Sequence, residues 1–453
     1  MKIPKSAPPA PIVWHNRPVM ALSREQIVLW DKAYVWHPYT AMDEYIAETE
    51  PLVVARASGA RLFDADGRTY LDGNASWWCA TLGHNHPRLV RALAAQAERL
   101  CHVALDRRTH EGAALLAKNL VQVAPAGLEH VFYSDNGSTS VEAALKMALQ
   151  YWAQNGRPER TRFVAFDGAF HGETLGVTAL GGVEVFRRPF ASVIMDCLRV
   201  PSAADGFERA FDALATFLRE GADRIAAVVL EPMVQGAAGM RTYAAEFLQR
   251  ARELTQKHDV FLILDEVFTG YGRTGPMWAG SHAAVVPDML CTAKGFTAGM
   301  MPMAATLATR RIFEGFYGGG ERSFFYGHTF TGNALGAAIA LEVLRVYEEE
   351  RVLAQIPAKA AAIQRAFAAL GELPGVVTTR ALGMIGALEL AGGTGYLERS
   401  GLCVYHEALR RGAYLRPLGN VIYVTPPLNI PDADLEELLE IVSQSVRSVV
   451  TTS

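Results

Sequence analysis

Between Pro287 and Arg310 the sequence carries two charged side chains, Asp288 and Lys294, and the second sits inside "CTAKGFTAGM" (291–300). An ammonium in so apolar a setting loses hydration and its pKa falls. The neutral amine is then a nucleophile toward aldehydes and can form a Schiff base. A second reactive group lies in "LILDEVFTGYGRTG" (262–275), where an apolar run ends at Asp265. Three chemistries compete for that run. Asp-Glu at a strand end is also the metal-holding end of a P-loop ATPase, but that reading needs G-x-x-x-x-G-K-[ST], and the chain has no Gly-Lys dipeptide. Residues 270–275 spell G-x-G-x-x-G, yet a dinucleotide loop must open a helix, and Pro276-Met277-Trp278 follows here. The third reading joins Asp265 to Lys294. A buried carboxylate is what a protonated pyridine nitrogen needs in order to remain an electron sink, so the pair points to pyridoxal phosphate. Taken singly, Asp265 could be a local cap and Lys294 a snorkelling structural lysine.

A phosphate then needs a seat, and "SDNGSTSVEAALKM" (134–147) offers one. Gly137 and Ser138 fall between an apolar run and an amphipathic segment. Glycine lets backbone approach an anion, and a helix N-terminus presents free N–H groups and its dipole. An ordinary capped helix start has the same composition.

These residues must be positioned by elements, and the middle of the chain alternates two textures. "HVFYS" (130–134), "RFVAF" (162–166), "AAVVLEP" (226–232), "VFLILDEV" (260–267) and "MAATLAT" (303–309) are nearly continuous apolar runs. Strands greasy on both faces belong in a parallel sheet covered by helices. Between them lie helical patterns such as 140–152 and 244–258, the latter with Phe247, Leu248, Ala251 and Leu254 on one face. The rhythm is βαβ and the fold class α/β, with Asp265 and Lys294 at or just past carboxyl ends of strands, where open sheets bind ligands. From about residue 344 the texture shifts to long Ala/Leu/Glu helices around two strand-like stretches, 384–390 and 420–427. Residues 61–72 read as a hairpin turning at Asp66-Gly67. The expected division is an N-terminal arm (1–29, poorly ordered), a segment over 30–75 packing with the small domain, a large domain over 76–343 and a small α+β domain over 344–453. Met20 is a candidate start.

Composition narrows the function classes. At 453 residues with a net charge of −4 and no basic run, neither nucleic acid nor an anionic membrane is an expected partner. The N-terminus lacks a signal-peptide core, and no run of eighteen apolar residues exists. Five scattered cysteines without a CxxC pair suggest reduced thiols and a cytoplasmic location. His84 and His86 in "GHNHP" have no third ligand nearby, so a turn is expected there and no metal.

From about residue 30 to its end the chain resembles the class III pyridoxal-phosphate aminotransferases. "LILDEVFTGYGRTG", "CTAKGF", "EPMVQG" (231–236) and "GHTFTGN" (327–333) carry the class. "WHPYT" (36–40), "GNASWWCATLGHNHP" (73–87), "ALKMALQYW" (144–152) and "YLRPLGNVIYVTPP" (414–427) are similar to its biotin-biosynthesis branch. The resemblance implies a fold-type-I homodimer running a two-stage, ping-pong transamination. The donor would be S-adenosylmethionine and the acceptor 8-amino-7-oxononanoate. It implies that Lys294 is the Schiff-base lysine and moves the proton, and that Asp265 pairs with the pyridine nitrogen. Gly137 and Ser138 would hold the phosphate, Thr329 would reach it from the other subunit, and Gln235 and Phe170 would flank the cofactor. Tyr39, Trp77, Trp78 and Gly327 would line the substrate pocket, with Arg416 receiving the oxononanoate carboxylate. Two positions depart from the branch. "GAFHGETLG" (168–176) has Phe170 and Glu173 where Tyr and Asp are expected, and Leu418 stands where an aromatic is common. Another class III aminotransferase acting on ω-amines, or the same step with lysine as donor, stays open, as do an aminomutase or racemase on the same scaffold and a non-catalytic cofactor-binding protein.

Overall fold

The computed structural model describes residues 22–393 and 395–451, and the expected arm at 1–21, with Met20, lies outside them. The chain divides into two compact units. One runs to Arg56 and takes in Phe63–Thr69, and the other comprises Ala57–Leu62 and everything from Tyr70. In the first unit a helix spans Arg24–Tyr34, beginning inside the stretch expected to be loose. Ser23 caps it by accepting the Gln26 N–H at 3.2 Å, which satisfies one of the orphan donors of a first turn. Asp31 on that helix accepts from Tyr45 Oη at 2.6 Å and pairs with His37 Nε2 at 3.0 Å. The expected turn at Asp66-Gly67 is present: Asp64 Oδ1 accepts from the Asp66 and Arg68 amides, and Gly67 takes φ 84°.

The second unit holds a seven-stranded sheet. Its strands run side by side in the order Leu128–Ser134, Ala304–Thr309, Met289–Thr292, Phe261–Asp265, Ile225–Leu230, Arg162–Phe166 and Leu198–Val200. Every residue of Ile225–Leu230 and Phe261–Asp265 is buried, as continuous apolar strands between two helical layers should be. Strand pairings from Met289–Thr292 to Leu198–Val200 are parallel, with Asp265 beside Cys291 and Ile263 beside Val229. Ala304–Thr309 differs from the expected parallel arrangement, running antiparallel to both neighbours. The cause is length. Eleven residues separate it from Thr292 and contain only a short 3-10 turn, whereas a parallel return needs a crossover of a dozen or more residues and usually a helix.

Helices Gly137–Gln154 and Ala245–Lys257 match the two predicted amphipathic segments, and Phe247, Leu248 and Ala251 are buried as their spacing requires. The C-terminal stretch contains a three-stranded antiparallel sheet, Val376–Leu382, Ile385–Leu390 and Val421–Val424, with helices Val352–Leu370, Ser400–Arg411 and Asp432–Val450. The glycine run 270–275 links the two sheets and opens no helix. Gly272 and Gly275 take φ 87° and 120°, and the buried Arg273 donates to Pro426 O at 2.7 Å. Among the described residues no helix is long and apolar enough to cross a membrane.

Candidate active site

The strand Phe261–Asp265 ends by delivering a buried carboxylate to the carboxyl edge of the sheet. Asp265 Oδ2 accepts from His171 Nδ1 at 2.7 Å, and Oδ1 accepts from the Val267 amide at 3.0 Å. The charge is therefore held in one orientation. One strand over, Met289–Thr292 runs into a 3-10 turn that begins with Lys294 at φ 46°. By surface Lys294 is half-buried, but its Nζ lies 4.7 Å from the Trp78 ring and 5.7 Å from Phe268. Burial pushes the ammonium pKa down, and Asp265 and Glu231 resist that shift. The pocket thus places a lysine whose pKa burial lowers within electrostatic reach of the Asp265 carboxylate.

A second carboxyl, Glu231, follows the strand Ile225–Leu230. Its oxygens accept from the Phe170 amide and the Gly236 amide, both at 3.0 Å, so one side chain ties together the "GAFHG" and "EPMVQG" loops. Burial and the neighbouring Asp265 raise it to about 7, against the pull of His171 and the two amides. Glu266 is also raised to about 7 by burial, yet it accepts from Thr269 Oγ1 and the Ala279 and Gly280 amides. Three donors of that kind make it a local anchor for the 278–280 turn. Gln235 is buried, accepting from Ser202 Oγ at 2.6 Å and donating to Asp167 O at 2.9 Å.

The helix Gly137–Gln154 starts where the sequence places a phosphate seat. Asn136 caps it by accepting the Thr139 amide at 3.1 Å, with Thr139 returning the contact in a capping box. Ser138 Oγ accepts the Glu173 amide at 3.0 Å, so the "HGET" loop lies against the helix start. Two glycines make that approach feasible. A Cβ on Gly137 would sit 2.6 Å from Val267 Cγ1, and one on Gly172, at φ 125°, would collide with Ser138 Oγ.

The substrate side separates the paired tryptophans. Trp78 is 5% exposed, donates Nε1–H to Tyr423 Oη at 2.9 Å and tilts against Phe268 at 4.7 Å. Trp77 is 38% exposed and carries the Arg416 guanidinium 4.2 Å above its ring. The Arg416 amide donates to Asn74 Oδ1 at 2.6 Å, which fixes the "YLRPLGN" turn against the tryptophan loop. Phe170 is half-buried and meets Phe186 edge-on at 5.8 Å. Gly327 and Thr329 are exposed, beside a His328 whose Nδ1 donates to Asp135 Oδ2 at 2.6 Å. Tyr39 is exposed in the N-terminal unit, in left-handed backbone at φ 55°. His84 meets Asp72 at 2.8 Å and pairs its backbone with Gly59, which accounts for "GHNHP" as a turn.

His171, Glu231, Tyr396 and Tyr423 are polar partners that sequence reasoning did not single out. His171 and Glu231 stand inside motifs already quoted, and the signal available was a titratable residue flanked by glycine or proline within an apolar stretch. Nothing in the sequence marks Tyr396, since its importance comes from a contact 20 residues away.

A pyridoxal group can be tested against these residues. The buried Nε2 of His171 has no hydrogen-bond partner among the described residues, and the glycines at 137 and 172, where a Cβ would strike Val267 and Ser138, let the loops close tightly on the helix start. A lowered lysine, a fixed carboxylate and a capped helix N-terminus suit an aldehyde, a pyridine nitrogen and a phosphate in turn. The donor set fits.

The comparisons point the same way. The chain is 41% identical to the adenosylmethionine-8-amino-7-oxononanoate aminotransferase of Geobacter sulfurreducens, over 93% of this chain and 97% of that relative. It is 42% identical to the protein of the same name from Nitratidesulfovibrio vulgaris, over 92% of this chain and 81% of that one. A crystal structure of the Methanocaldococcus jannaschii aminotransferase of that name superposes with a TM-score of 0.90 at 34% identity, covering 94% of this chain and 99% of the other. The sequence model "Aminotransferase class-III" matches residues 45–446, a span holding both the lysine turn and the strand-end carboxylate, and the chain belongs to that family of aminotransferases.

Proposed function

We propose that this aminotransferase moves an amino group from S-adenosylmethionine to 8-amino-7-oxononanoate, giving 7,8-diaminononanoate by a ping-pong route with pyridoxal phosphate. The relatives' shared name supports the substrates. The observation that carries the reading is Arg416 laid over Trp77, a guanidinium on an aromatic wall beside the lysine pocket, which suits the carboxylate and aliphatic chain of an oxo acid. When bound, the cofactor supplies the electron sink that makes the substrate Cα–H acidic.

The chain's own residues do the rest. Lys294, its ammonium pKa pushed down by burial, would hold the cofactor's aldehyde and would take and return the substrate Cα proton. Asp265, fixed by His171 and the Val267 amide, would hold its carboxylate against a protonated pyridine nitrogen. Gly137, Ser138 and the helix start hold the phosphate. Gln235 and Phe170 flank the ring. Trp78, Trp77 and Gly327 would form substrate walls. The working form is a homodimer in which Thr329 of the partner subunit completes the phosphate seat. Phe325 and Phe330, 69% and 59% exposed on either side of Gly327 and Thr329, support a covered surface there. A reducing cytoplasm suits its five free thiols.

The test follows the two halves separately by stopped-flow absorbance, adding one substrate at a time to Arg416→Ala. Loss of a charge-assisted contact costs roughly 2–4 kcal/mol, or about 30- to 1,000-fold in kcat/KM, and should fall on the oxononanoate half. The donor half should change little. Equal loss in both halves would mean that Arg416 is structural or binds both substrates, and no loss in either would remove the main physical reason for choosing a carboxylate-bearing oxo acid. Running the donor half with S-adenosylmethionine and with lysine identifies the donor.

A further inference from the structure

Arg416 is held from several directions. Its face lies 4.2 Å over Trp77, and one terminal N–H donates to Tyr396 Oη at 3.2 Å. The Tyr423 hydroxyl is close enough to feel its charge. Among the described residues it forms no ion pair. Tyr396 is itself supported: Phe186 meets its ring edge-on at 4.7 Å, and Phe186 meets Phe170 at 5.8 Å. A short chain of rings therefore leads from Phe170 to the guanidinium.

The segment that carries Tyr396 is docked on the turn that carries Arg416. Gly419, at φ 62°, lies so close to Gly395 that an added Cβ would collide with the Gly395 carbonyl. Behind it a Cβ on Gly401 would meet Pro417 Cβ at 2.6 Å. Two backbones packed this tightly hold Tyr396 and Arg416 in one register.

We propose that Tyr396 is a positioning residue of the acceptor pocket, its hydroxyl and the Trp77 ring together fixing the guanidinium plane of Arg416 so that an in-plane N–H edge meets a substrate carboxylate. An unheld arginine samples many rotamers and surrenders that freedom on binding, whereas a planar fork fixed beforehand loses less per hydrogen bond formed. The inference rests on Arg416 receiving the acceptor's carboxylate.

The experiment uses the pyridoxamine-phosphate-loaded enzyme in single turnovers with 8-amino-7-oxononanoate and with its methyl ester. Tyr396→Phe keeps the ring on Phe186 and removes the hydroxyl. It should raise the half-saturating acid concentration about tenfold and leave the maximal rate within about twofold, with the donor half unchanged. With the methyl ester, Tyr396→Phe and wild type should coincide. In an Arg416→Ala background the tyrosine substitution should have no further effect. Gly419→Ala, which pushes the two backbones apart, should weaken the acid in the same direction. If Arg416→Ala leaves the acid half untouched, the carboxylate reading fails and takes this inference with it. If Arg416→Ala slows that half while Tyr396→Phe changes nothing, or slows both halves and both substrates alike, the carboxylate reading stands and Tyr396 is structural.

Discussion

Lys294 occupies left-handed backbone, φ 46°, a conformation that costs a residue with a Cβ on the order of 1–3 kcal/mol. Glycine would relieve that cost but would remove the amine, so the strain marks a position where the side chain outweighs the backbone. Lys294→Ala should abolish transamination while the chain remains folded. Borohydride treatment of the loaded wild type should label one peptide, the one containing Lys294, and a label elsewhere would overturn the assignment. Asp265 invites a different substitution. Asp265→Asn preserves shape and can still accept from the Val267 amide, but a neutral amide cannot balance a pyridinium. Transamination should fall roughly 100- to 1,000-fold with near-normal cofactor binding, and near-normal turnover would remove the electron-sink argument. Both residues were legible because their chemistry contradicts their surroundings: a lysine among Cys, Ala, Gly and Phe, and a carboxylate after Leu-Ile-Leu. His171 was hidden, since a histidine among small residues has too many ordinary explanations until the 2.7 Å contact with Asp265 is seen.

The elements that aim these residues were legible to different degrees. Arg162–Phe166 coincides with its predicted run, and Phe261–Asp265 and Ile225–Leu230 differ from theirs only at the ends, because full burial leaves an uninterrupted apolar signature. Leu198–Val200 has three residues and announces nothing. Val376–Leu382 was passed over because none of its residues is fully buried, and "VVTTRAL" reads equally well as loop. The direction of Ala304–Thr309 was misjudged because apolarity reports burial and leaves orientation open, which the short lysine turn decides. The helix start is where an element carries function most directly. Gly172→Ala puts a methyl group into Ser138 and forces φ 125° on a residue that resists it. Overpacking and backbone strain together should cost roughly 2–4 kcal/mol. The loss should appear as a lower melting temperature, and cofactor titration should show weaker binding than at a control site such as Gly127, where a Cβ meets nothing within 4 Å.

On the scale of the whole molecule, two buried carboxyls set a pH dependence with a definite sign. Glu231 and Glu266 each rise from an ordinary 4.5 to about 7 on folding, chiefly through burial. The native state therefore holds protons that the unfolded chain releases. Stability should fall as pH rises from about 4.5 to about 7 and level off above, by on the order of 1–3 kcal/mol per group. Urea unfolding of cofactor-free protein between pH 5 and 8 measures this, and Glu266→Gln should flatten the slope. A steeper slope in that variant would contradict the assignment. The sheet order carries a further consequence, in the time it takes to make the protein. Leu128–Ser134, the strand that leads into the phosphate seat, is an edge strand whose neighbour in the sheet is Ala304–Thr309, with Ser134 beside Ala304. A growing chain thus holds the first half of its cofactor site unmoored while about 170 more residues are added. At ribosomal speeds that is roughly 10–35 s. Lys294 is synthesised just ahead of the strand that closes the gap, so the lysine and the helix start come under one roof only once about two-thirds of the 453 residues have been added, and the nascent protein would capture its cofactor no earlier than that.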